Sequence, residues 1–148
     1  GHDQAGHAVV QIEDVLQGES RRPGATAAVV WTTQGFPVDN TGDRDQSQSD
    51  VGTALGEGTV FRVVEFGPGN TARIHRTDTI DYAVVISGEI DMQLDEGESV
   101  HLKAGDVVVQ RGTIHNWVNT GTQTCAIAFV LIDAHPVTVN GTTLEAHG

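Results

Sequence analysis

The chain has 148 residues, enough for one sizeable core, whereas two cores would each fall near the lower size limit for unaided folding, so a single domain is expected. Twenty acidic side chains against eight basic ones give a net charge of -12, which repels nucleic-acid phosphates and anionic lipid. No nucleic acid and no membrane is expected as a partner, and the acidity serves solubility.

The single cysteine, Cys125, excludes an intrachain disulfide, and its neighbours Ala126, Ile127, Ala128 and Phe129 predict a buried, inert thiol. No apolar run is long enough to span a bilayer, and the start Gly1-His2-Asp3-Gln4 does not resemble a cationic signal peptide, so a cytoplasmic protein is expected.

Short runs rich in Val, Ile, Thr and Phe recur between glycine-containing turns, and no segment sustains a helical period, which predicts an all-β sandwich or barrel. The first expected strands lie near 8–15 and 26–34. Residues 36–56 contain Asp-Asn-Thr-Gly, Asp-Arg-Asp and Gln-Ser-Gln-Ser-Asp with almost no apolar content and read as a long loop: a lid, an interface arm or a plain connection. Further strands are expected near 59–66, 71–75, 79–87, 89–94, 98–103, 106–110, 114–119, 125–132 and 137–139. The chain thus divides into N-terminal strands and a polar loop over 1–56, a barrel over 57–139 and a tail over 140–148.

Within the barrel, Asp81, Ala83, Val85 and Ser87 share one face of their strand, opposite Ile80, Tyr82, Val84 and Ile86. A face of small residues beside a carboxylate leaves room for a cavity, and Tyr82, on the other side, has a packing role. Next comes a hairpin in which Ile90, Met92, Leu94, Val100 and Leu102 alternate with polar residues; His101 falls on its wet face and is excluded from the site. Farther on, His115 shares a face with Trp117 and Asn119, an aromatic wall and an amide. Arg62, Arg73, Arg76 and Arg111 lie near these strands; one or two could clamp a substrate carboxylate, although each alone reads as a surface or structural ion pair. His2, His7, His135 and His147 carry no functional weight. There is no phosphate-binding glycine fingerprint, no Gly-x-Ser-x-Gly elbow and no paired-cysteine zinc spacing.

Gly69, His75, Thr77, Asp81 and Gly88 stand at the spacing of the first cupin motif, which this stretch resembles, with Thr77 in place of the second histidine and Asp81 in place of the glutamate. The stretch from Gly105 through Gln110, Gly112 and His115 to Asn119 is similar to the second motif, with one residue fewer between Gly105 and Gly112 and no proline before Gly112. The resemblance spans about 57–133 and implies a single-domain cupin jelly-roll barrel. It also implies a homodimer, with the N-terminal strands adding to a partner's sheet, a step for which an unpaired barrel edge supplies the motive.

In that family the matched positions are metal ligands. The resemblance therefore implies that His75, Asp81 and His115 hold one divalent ion (iron, manganese, nickel, cobalt or zinc), with Thr77, Ala83, Val85, Trp117, Asn119, Arg62, Arg73 and Gln110 around a small-molecule substrate and no organic cofactor. Lyase or dehydratase, isomerase and dioxygenase chemistry on an oxygenated metabolite all fit. Two alternatives stay open at this point: a metal-free acid–base lyase or isomerase using the same three residues, since Asp81 is a methylene shorter than glutamate and Thr77 is no imidazole, and a metabolite-binding cupin without catalysis.

Overall fold

A computed structural model describes all 148 residues. Eleven strands and two 3-10 turns make up its regular structure, and no element is a helix long and apolar enough to cross a membrane. The strands are β1 (Glu19–Arg22), β2 (Ala25–Gln34), β3 (Gly58–Phe66), β4 (Thr79–Ser87), β5 (Glu89–Gln93), β6 (Ser99–Lys103), β7 (Val107–Arg111), β8 (Asn116–Val118), β9 (Cys125–Asp133), β10 (Val137–Val139) and β11 (Thr142–Leu144). A six-stranded sheet runs β1-β2-β3-β9-β4-β7 and a three-stranded sheet runs β6-β5-β8; β10 and β11 form a separate hairpin. All pairings are antiparallel.

The core lies between the two sheets and follows from period-two alternation. On β9, Cys125, Ile127, Phe129 and Leu131 are buried, and on β4 Ala83 and Val85, while the three-stranded sheet contributes Ile90, Met92, Leu102 and Trp117. Gly88, which ends β4, has φ 73°, and a Cβ there would come within 2.6 Å of Thr124 O, so only glycine lets β4 turn into β5 against β9.

Most expected strands form close to their expected bounds, with several differences. Residues 8–15 make no strand: Val10 and Val15 are strongly exposed, because this stretch finds no sheet to bury its apolar alternation. Residues 71–75 contribute only a single bridge, His75 to His115, and the strand expected at 114–119 shrinks to β8. The structure adds β1, whose Glu-Ser-Arg-Arg sequence has no apolar residue; it forms because the edge of β2 supplies ladder partners. The hairpin's buried face also stops short, since Leu94 and Val100 are exposed at its outer end.

The polar stretch at 36–56 is anchored rather than loose. Asp45 accepts from Ser47 N (2.9 Å) to cap a 3-10 turn at Gln46–Gln48, and the buried Thr32 hydroxyl meets Gln46 Oε1 (3.3 Å) and Ser49 Oγ (3.1 Å). Val51 and Leu55 then pack against the core.

Candidate active site

The backbones of His75 and His115 exchange two hydrogen bonds, His75 N to His115 O (3.0 Å) and His115 N to His75 O (2.9 Å). Residues paired this way present their side chains to the same face, so the imidazoles lie side by side with ring centroids 4.2 Å apart. Both are buried. Trp117 packs its edge against His115, and Phe129 against Trp117, with centroid separations of 6.0 and 5.4 Å.

Each imidazole is fixed through Nδ1. His75 Nδ1 lies 2.9 Å from Arg73 O. His115 Nδ1 lies 2.8 Å from Gln110 Nε2 and 3.1 Å from Thr113 O, and Gln110 Nε2 is itself 3.0 Å from Thr113 O. Asp81 is placed by β4 directly across the ladder from Gln110. Its Oδ1 accepts from Thr79 Oγ1 (2.6 Å), which in turn meets Thr77 Oγ1 (2.7 Å), so Thr77 begins a hydroxyl chain that ends on the carboxylate.

Burial dominates the electrostatics. It lowers the pKa of His75, lowers that of His115 to about 4 with help from neighbouring His75, and raises that of Asp81 against the opposing hydrogen bond from Thr79. Both histidines are therefore neutral at neutral pH.

These groups line one cavity of about 290 Å³, near the lower end of small-molecule sites. It brings together six of the expected residues: His75, Asp81, His115, Trp117, Arg62 and Arg73. Five others fall outside it. Ala83 and Val85 are buried in the packed core, where their small volume is filled by neighbours; Thr77 serves the hydroxyl chain; Gln110 stands behind His115. Asn119 is fully committed to structure, donating to Phe66 O and Gln123 O (2.8 Å each) and accepting from Gly121 N (2.9 Å). Arg76 and Arg111 also stay out. His101 sits outside as expected, between Asp91 Oδ1 (2.8 Å) and Glu89 Oε2 (3.0 Å).

The sequence reading missed Arg21 and Arg22 on β1, the small residues Ala25 and Ala27 on β2, and Val51, Gly52 and Thr53 of the anchored loop, all of which border the cavity. An adjacent arginine pair in so acidic a chain was the one available signal.

As a ligand set, the three expected donors do not fit one ion in this arrangement. No three His, Cys, Asp or Glu side chains come close enough together to hold a metal. Asp81 is turned to Thr79 by a hydrogen bond, and His115 Nδ1 is engaged by both Gln110 Nε2 and Thr113 O.

A two-sheet antiparallel β-barrel enclosing paired histidines and a carboxylate defines a barrel of jelly-roll type. Within that class the chain belongs to the cupin family: the Cupin domain family profile matches residues 62–132. The cupin-domain-containing oxidoreductase fogC of Aspergillus ruber is 34% identical to it, over 99% of this chain and 76% of that protein. Phomopsin biosynthesis cluster protein C' of Diaporthe leptostromiformis is 38% identical, over 97% of this chain and 80% of its own length. Among solved structures, the polyketide cyclase RemF from Streptomyces resistomycificus shares the fold, with a TM-score of 0.58 at 19% identity over 90% of this chain and 88% of that one.

Proposed function

We propose that the cavity is the active site of an enzyme that moves a proton on an oxygenated organic molecule, an isomerase or lyase with His75 as base and His115 as proton donor. The unlike engagement of the two Nδ1 atoms carries this reading. His75 Nδ1 faces a carbonyl and must donate, which leaves a lone pair on Nε2. His115 Nδ1 also has a carbonyl beside it, Thr113 O at 3.1 Å, but Gln110 Nε2 is nearer at 2.8 Å and itself lies 3.0 Å from that carbonyl. We therefore take the amide to satisfy Thr113 O with one N–H and to meet an accepting Nδ1 with the other. The proton of His115 then sits on Nε2. One ring offers a lone pair and its neighbour an N–H.

That pairing suits abstraction of a proton next to a carbonyl. The C–H bond breaks, its proton goes to His75 Nε2, the electron pair forms a carbon–carbon double bond, and His115 Nε2–H supports the negative charge arriving on the carbonyl oxygen. Return of the proton to a different carbon gives isomerisation; loss of a β-hydroxyl as water gives elimination. Phe66, Trp117, Phe129 and Leu131 keep that side of the cavity dry.

The test is exchange of α-hydrogens of a panel of enolisable aryl ketones in deuterium oxide, followed by proton NMR. Acceleration by the wild type that His75→Ala removes is the expected result. No acceleration, or acceleration indifferent to His75→Ala, contradicts the reading, and saturable binding without exchange or product reduces the protein to a binding cupin.

A second reading is favoured by the word oxidoreductase in the name of the fogC relative. Redox chemistry needs an electron carrier, which a redox-active divalent ion such as iron on His75, Asp81 and His115 would supply when bound. It requires Asp81 to leave Thr79 and Gln110 to release His115. Elemental analysis without a metal-affinity step separates the two: stoichiometric metal lost in both His115→Ala and Asp81→Ala favours the ion, and its absence after incubation with iron(II), manganese, nickel, cobalt or zinc favours proton transfer.

The proposal includes a cytoplasmic setting, in which the buried Cys125 stays a thiol. It also includes a homodimer. The surface in question is not the N-terminal strands but the outer face of the large sheet, where Tyr82, Val84 and Ile86 on β4 and Val107 and Val109 on β7 form a continuous exposed apolar patch.

A further inference from the structure

Four of the eight basic side chains of this acidic protein border one cavity: Arg21 and Arg22 from β1, Arg62 from β3, and Arg73 from the segment before His75. Asp81 is the only acidic residue among the lining residues. We propose that the cavity takes an organic anion, an apolar and ring-sized body bearing a carboxylate, with Arg62 as the principal anchor and Arg22 and Arg73 at its flanks. This rests on the reading of the cavity as the active site and names the class of its substrate.

The arginines are not consumed by the protein's own acids. Only Arg21 has a side-chain carboxylate within ion-pair distance, Glu19 at 3.5 Å. Arg22 Nε donates to Thr71 O (3.0 Å), an Arg73 guanidinium nitrogen to Gly148 O (3.0 Å), and an Arg62 guanidinium nitrogen to Gly52 O. For Arg22 and Arg62 these carbonyls satisfy donors without supplying a counter-charge, and Asp81 offsets the positive charge of Arg62 only in part. Arg62 Nε is buried with no hydrogen-bond partner at all, a cost the native state carries until something accepts from it. Burial, and after it the nearby Arg21 and Arg73, press Arg62 down to about 10 against the opposing pull of Asp81, so it is still a cation at neutral pH. A bound oxyanion would relieve both the missing acceptor and the like-charge repulsion, and the guanidinium fork matches a carboxylate's two oxygens.

The rest of the cavity specifies the body of the ligand. Phe66, Trp117, Phe129 and Leu131 are apolar walls, and Ala25 and Ala27 withhold side-chain bulk where β2 faces them. Arg22 lies over the Phe66 ring at 5.8 Å, which holds its charge at the boundary between the wet mouth and the apolar interior.

Calorimetric titration of the intact protein with benzoate and 3-phenylpropanoate, each beside its neutral amide, at low and high salt, tests this directly. At least one carboxylate is expected to bind about tenfold or more tighter than its amide, with salt narrowing the gap. Arg62→Gln should erase most of that preference. Arg22→Gln, at a site outside the barrel's central strands, should weaken it in the same direction and covers the case in which Arg62→Gln does not fold. Equal affinity for acid and amide, no binding of either acid, or a preference that both variants retain overturns the proposal. His75→Ala should keep the carboxylate preference while losing α-hydrogen exchange, so a failed catalytic reading and a failed anion site give different results.

Discussion

Asn70 and Asn119 lock together the two loops that carry the site: Asn119 N donates to Asn70 Oδ1 at 2.8 Å, and Asn70 Nδ2 donates to Trp117 O at 2.9 Å. One loop leads to His75 and the other follows His115 and Trp117, so this pair braces the His75–His115 bridge from outside. Asn119→Ala strands the carbonyls of Phe66 and Gln123 and the N–H of Gly121. A loss of about 2–4 kcal/mol in urea unfolding is expected. A loss within error would show that the amide is not structural.

Acid should weaken the fold through His115. Its folded-state pKa of about 4 lies below the ordinary value of 6.5, so between these the unfolded chain binds more protons and stability rises with pH. The contribution is complete above 6.5, is lost as pH falls towards about 4, and amounts to at most about 3 kcal/mol. His75, also lowered by burial, adds in the same direction; Asp81, raised by burial, opposes both at the acid end because its folded form takes up a proton first. The positive charges that face the pair are Arg22 and Arg73. The urea midpoint should fall between about pH 7 and about pH 5, and His115→Gln should flatten the fall. A midpoint that does not move with pH would contradict this balance.

The outer face of β4 and β7 should be covered in solution. Tyr82 is 49% exposed and Val109 59% in the single chain, side chains that a packing role would bury. Sedimentation at micromolar concentration should give a dimer, and Val109→Glu, which places an added charge of the protein's own sign on each copy, should give a monomer with unchanged circular dichroism. A monomeric wild type would remove the interface.

The barrel was legible because its signals are local. Alternation along β4 and β9 and glycines at sharp turns, Gly88 among them, reflect sterics and burial that any one strand reveals. The motif histidines were legible through spacings that resemble the two cupin motifs. What stayed hidden depends on partners distant in sequence. Glu-Ser-Arg-Arg does not read as a strand, yet β2 makes it one and thereby delivers Arg21 and Arg22 to a cavity whose other residues lie 40 or more positions away, apart from Ala25, Ala27 and the loop at Val51–Thr53. The alternation at 8–15 misled because alternation without a sheet to join buries nothing. Asn119 was placed on the right face and given the wrong work, since pattern tells where a side chain points but not which carbonyls a turn brings to it. Gln110 was named as pocket lining; its contact with a ring nitrogen depends on geometry that spacing does not carry.

The central claim is that neighbouring imidazoles hold unlike tautomers, and side-chain nitrogen NMR of histidine-labelled protein at neutral pH reads it without a substrate. Assigned by the loss of signals in His75→Ala and His115→Gln, the spectrum should show His75 protonated on Nδ1 and His115 on Nε2, with Gln110→Glu moving the His115 proton to Nδ1 as the amide donor becomes an acceptor. Both rings carrying their proton on Nδ1 in the wild type would contradict the account and leave two free Nε2 atoms, the arrangement that an ion would use.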